Sequence, residues 1–121
     1  MAFPDTITIT INSVAKVLNR INQDGYSSEY FLRGTLDEFS LKIRNTSFTN
    51  TATGKVTDRH NAELIQTVYP VSPAVVPTIR KAYTVLENER ADGTTDPLNF
   101  DLGFVAFFTS GNITKMLNRE S

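Results

Sequence analysis

Asp96-Pro97-Leu98-Asn99-Phe100-Asp101-Leu102-Gly103-Phe104-Val105-Ala106-Phe107-Phe108 is the stretch on which the fold turns. A carboxylate directly before a proline is a strong helix start. The side chain accepts from the free N–H groups of the first turn, and proline at the first helical position has no N–H to lose. The pattern predicts a helix capped by Asp96 and running to about Phe108. Leu98, Phe100, Leu102, Phe104, Val105, Phe107 and Phe108 then cover nearly its whole circumference, so it must be covered on more than one side. One open antiparallel sheet covers one face of a helix; the rest needs another layer or another copy of the molecule. A lone chain of 121 residues can hardly supply that layer. A dimer is therefore expected, with Leu98, Leu102, Phe104, Val105 and Phe108 in its interface. Ser110-Gly111-Asn112 is expected to break the helix and Ile113 to Arg119 to form a short second one.

Upstream of this segment the period changes to two. Thr6, Thr8, Thr10 and Asn12 fall on one side, Ile7, Ile9 and Ile11 on the other, which defines a strand. Asn12-Ser13 is a polar break and Val14 to Ile21 resumes the extended pattern, so residues 1 to 21 read as a hairpin. Asn22-Gln23-Asp24-Gly25 supplies a turn, with Gly25 free to take positive φ. Ser28 to Arg33 is a third strand. Glu38 to Phe48 is a fourth, in which Phe39, Leu41 and Ile43 alternate with Ser40, Lys42, Arg44 and Thr46. After a Thr- and Asn-rich connection ending at Gly54, Val56 to Tyr69 is another, with Ala62, Leu64 and Val68 together. Pro70, Pro73 and Pro77 bracket an expected exposed loop, since each lacks a donor. Ile79 to Glu89 is the last strand, with Lys81, Tyr83, Val85 and Glu87 on one side and Ala82, Thr84 and Leu86 on the other. Ala91 to Thr95 should turn. The expected class is α+β: a single domain over 1–121, with a hairpin at 1–21, an antiparallel meander at 27–89 and two helices at 96–119.

At a net charge of -1 the whole-molecule electrostatics that announce a general nucleic-acid binder are missing, so any RNA site must be local. No cysteine is present, which rules out disulfides, zinc knuckles and thiol nucleophiles. The first residues lack a basic region followed by an apolar run, and a soluble intracellular product is expected. The lone His60 has no partner at metal-ligand spacing and reads as structural or surface. Asp37-Glu38 and Glu87 with Glu89 are carboxylate pairs of the kind strand ends carry routinely, so no catalytic activity and no cofactor are expected. Positive charge concentrates on the sheet: residues 39 to 62 sum to +3 and residues 87 to 101 to -4. Ser40, Lys42, Arg44 and Thr46 share one strand face, and Lys81 with Tyr83 share another. Together they offer cations for phosphates beside a ring for base stacking, although a solvated strand face carries the same residues.

Ala15-Lys16-Val17-Leu18, Arg20-Ile21-Asn22-Gln23-Asp24-Gly25-Tyr26 and Ser28-Glu29-Tyr30 resemble the coat proteins of single-stranded RNA bacteriophages of the levivirus group, those infecting Caulobacter in particular. The resemblance continues at Arg59-His60-Asn61, Glu63, Thr67-Val68-Tyr69, Ala82-Tyr83, Val85 and Asp101-Leu102, in the same order. It implies two C-terminal helices packed on the sheet of a dimer partner, which joins two sheets into one. It also implies an icosahedral shell in the virion, assembled in the bacterial host cytoplasm, with the 70–78 loop at the symmetry axes. The sheet face opposite the helices would bind single-stranded genomic RNA, including a hairpin whose binding can repress replicase translation. By strand position that face holds Ser40, Lys42, Arg44, Thr46, Lys81 and Tyr83, joined by Arg59 and Asn61. The Thr, Ser and Lys set that grips loose bases in better-known members has no clear match in residues 55 to 67, and the last ten residues diverge. Structural calcium shared by carboxylates of neighbouring subunits is compatible with oxygen-ligand chemistry. The runner-up reading is a non-viral dimeric RNA-binding protein, and a third is a small enzyme built on His60.

Overall fold

Alternating threonine and isoleucine produce β1 (Thr6–Ile11), which pairs antiparallel with β2 (Val14–Gln23) in the computed structural model of the chain; residues 2–121 are described, and Met1 lies outside them. Asn12 and Ser13 join the strands with φ of 53° and 63°, the left-handed pair of a tight hairpin turn whose twist matches its strands. β3 (Ser27–Arg33), β4 (Asp37–Thr49), β5 (Val56–Val68) and β6 (Thr78–Glu89) follow. The six strands lie side by side in chain order, a meander.

Period two gives each strand a packed face. Ile7 lies opposite Leu18, Tyr30 opposite Leu41 and Leu32 opposite Phe39. Leu18, Tyr30, Phe39 and Leu41 form the buried core, flanked by Ile7, Ile9, Ile11, Leu32, Ile43 and Leu64. The Tyr30 hydroxyl, inside this core, donates to the Pro4 carbonyl at 2.6 Å. A buried phenol requires such an acceptor.

In the turn between β2 and β3, Gly25 does not use its freedom to take positive φ. The Asp24 carboxylate organises the turn instead, accepting from the Tyr26 and Ser27 N–H groups at 2.8 and 2.7 Å and from Ser27 Oγ at 2.8 Å. These bonds hold its pKa below the ordinary value, the Tyr26 N–H contributing most. The glycine of the next hairpin, Gly54, does take φ of 72°. The proline-bracketed segment is an exposed loop between β5 and β6.

The chain divides into two compact units, residues up to Ser47 with Arg59–Glu87, and Phe48–Asp58 with Asn88–Ser121. In the second, helix α1 spans Thr95–Ala106, with Thr94 as its cap residue. Asp96 is therefore not the cap, and Pro97 is the third helical residue rather than the first. The first turn has orphan N–H positions throughout, so proline fits at either place. Ser110-Gly111-Asn112 is not a break but the first turn of α2 (Ser110–Leu117). The break falls at Phe107–Thr109, where the Thr109 hydroxyl accepts from the Asn112 N–H at 3.3 Å and Asn112 Nδ2 donates to the Phe107 carbonyl at 2.7 Å. Pro97 is the buried residue of α1; Phe100 is 74% and Phe104 56% exposed. Leu98, Leu102, Val105 and Phe108 are likewise exposed in the single chain, with Phe104 and Phe108 stacked edge to face at 5.1 Å. No helix among the described residues is long and apolar enough to cross a membrane.

Candidate nucleic-acid interface

Which way each strand faces follows from its contacts. Phe39 and Leu41 point into the core and Ile43 packs against it, so Ser40, Lys42, Arg44 and Thr46 occupy the opposite face of β4. On β5, Leu64 packs against the same core and His60 meets Asn45 of the core side, which leaves Arg59, Asn61 and Glu63 on the opposite face. Arg44 Nη2 lies 3.8 Å from Glu63 Oε1, and Arg59 Nε lies 3.4 Å from Glu87 Oε1. The second contact brings the odd-numbered side of β6, with Lys81 and Tyr83, onto that face. All eight residues singled out from sequence thus share one face of the first unit.

The face is open. Tyr83 is 64% exposed, Arg44, Thr46, Arg59 and Lys81 are exposed, and Ser40 and Lys42 are half-buried. The phenol of Tyr83 therefore presents an accessible ring beside cations, a combination suited to stacking an unpaired base while phosphates are neutralised. Asn61 Oδ1 is buried and has no hydrogen-bond partner among the described residues. Arg33 lies over the Phe31 ring, 5.7 Å from its centroid, on the neighbouring strand.

Sequence reasoning missed how fully this face carries acids. Glu63 and Glu87 contact Arg44 and Arg59, and Glu29 of β3 stands opposite Lys42 in the strand register. Alternation does reveal that Glu63 and Glu87 share the face of Asn61 and Tyr83. Only the three-dimensional pairing reveals which cation each one meets.

The residues that could have been drawn as catalytic have structural partners. His60 Nδ1 donates to Asn45 Oδ1 at 2.7 Å. Asp37 accepts from Gln66 Nε2 at 2.8 Å, and Gln66 in turn accepts from Arg80 at 3.1 Å, which ties β4, β5 and β6 together. Glu89 pairs with Lys55 at 3.3 Å. Among the described residues no group of three or more histidines and carboxylates is placed to hold a metal ion.

A six-stranded antiparallel sheet followed by two C-terminal helices is the α+β architecture of the RNA phage coat proteins. The particular family is the one described as "Phage phiCb5, coat protein": its profile matches residues 4–89, well over half of the chain, and the chain belongs to it. No curated protein matches the chain significantly. The protein is a phage coat protein, a structural component of the virion, and the non-viral reading gives way to that assignment.

Proposed function

We propose that this coat protein assembles as interlocked dimers into an icosahedral shell in the cytoplasm of its bacterial host and packages single-stranded genomic RNA against the inward-pointing face of its sheet, the one that carries Lys42, Arg44, Lys81 and Tyr83. The carrying observation is the apolar surface that a single chain leaves in water: Leu98, Phe100, Leu102, Phe104, Val105, Phe107 and Phe108 are all exposed on α1 and its C-terminal end. Burying such a surface favours association by about 25 cal/mol per Å² of apolar area. A second copy of the chain supplies the complementary surface, because Ala62 and Ala82 on the packed side of β5 and β6 are also exposed. With the helices spent on the partner, Lys42, Arg44, Arg59 and Lys81 remain available to phosphates and Tyr83 to a base. The same face, offered to a hairpin in the genome, supports repression of replicase translation. Carboxylates brought together between subunits would suit a calcium ion.

Purified protein expressed in bacteria is expected to elute as a shell-sized particle by light scattering and to protect co-purifying RNA from nuclease. A folded monomer free of RNA would overturn the proposal; a dimer with RNA but no particle would restrict it to RNA binding.

A further inference from the structure

Glu63 and Glu87 stand within the cationic face and compete for its arginines. Arg44 Nη2 is 3.8 Å from Glu63 Oε1, and Arg59 Nε is 3.4 Å from Glu87 Oε1. The Glu63 side chain is only 16% exposed and is held by its surroundings, whereas the Arg44 side chain is 51% exposed and has room to swing. A third acid, Glu29, stands opposite Lys42 in the β3–β4 register. A surface whose sole task was to attract polyanions would leave its cations without such neighbours, since each carboxylate lowers the local potential and repels an approaching phosphate.

We infer that Glu63 and Glu87 are specificity-determining residues of this face, each holding an arginine until a well-placed RNA phosphate displaces the carboxylate. This rests on the reading of the face as the RNA site. A strand that brings phosphates to both arginines at once regains the lost pairs with charge-assisted hydrogen bonds. A strand of arbitrary conformation meets the carboxylates and gains little, so the acids suppress general RNA binding more than binding of the fitting structure.

The test uses the full chain freed of host RNA, a short oligouridine probe and fluorescence anisotropy over a salt series. Glu63→Gln with Glu87→Gln keeps side-chain shape and removes both charges. It is expected to bind the probe about tenfold tighter at low salt, the scale of two partly exposed ion pairs. Its log–log salt dependence should steepen by about 1.4, as two more cations engage single-stranded phosphates. Unchanged or weaker affinity with an unaltered slope would overturn the inference. Glu87→Gln alone, at an exposed position, must move the same way if the double variant misfolds. A Lys42→Ala, Lys81→Ala variant separates the two readings. If it weakens binding while the glutamine variants change nothing, the RNA face stands and this inference fails. If neither the natural chain nor any variant binds the probe, both fail.

Discussion

Ser13 sits at φ of 63° in the first hairpin, a conformation that costs an L-residue with a side chain about 1 kcal/mol and glycine almost nothing. Ser13→Gly should therefore raise stability by up to about 1 kcal/mol in denaturant melts, and a loss would show that its hydroxyl supports the turn. Tyr30 is fully buried and its hydroxyl donates to Pro4, so Tyr30→Phe should cost about 1 kcal/mol by leaving that carbonyl without its donor. Asp24 gives a pH dependence whose sign is fixed by its bonds. The carboxylate is stabilised in the fold, so its contribution is complete above the ordinary value of 3.8 and is lost as pH falls through the lowered one. Asp24→Asn is expected to melt below the natural chain near neutral pH, and the gap between the two should close in acid. A gap that persists unchanged through the acid range in which the carboxylate is protonated would mean the charge is irrelevant to the turn.

Strands make the clearer sequence signal because their faces alternate with every residue. Thr6 to Ile11 reads without a fault, and the same parity puts Lys42 with Arg44 on one side of β4 and Lys81 with Tyr83 on one side of β6. Helix ends are less legible. Asp96-Pro97 satisfies the rules for a start at two neighbouring positions, and Ser110-Gly111-Asn112 reads equally well as a break or as a first turn when Thr109 can cap it. Cross-strand ion pairs were not legible at all, because Arg44 and Glu63 are joined only once the register of β4 against β5 is set. At this scale, if the proposed RNA face is right, replacing both Lys42 and Arg44 with alanine should weaken RNA retention and reduce its salt dependence by about 1.4 while the proposed dimer survives. Dimer loss, read by sedimentation, would mark those residues as structural instead.

Taken as a whole, the chain buries few large side chains, chiefly Leu18, Tyr30, Phe39 and Leu41, and leaves most of the apolar residues of α1 and α2 in solvent. If α1 lies in the proposed dimer interface, Phe104→Asp should prevent the dimer from forming, since a carboxylate would have to be desolvated there at a cost of several kcal/mol. Leu18→Ala, in contrast, should lower stability by about 3 kcal/mol through the cavity it leaves in the sheet's own core. The wet phenylalanines carry one more consequence. If another molecule must arrive to dry them, folding obeys mass action, and the melting temperature has no single value: it climbs with every dilution step reversed. In an infected cell, the earliest copies made would then be the most fragile and the most open to proteases, and crowding by later siblings would rescue them.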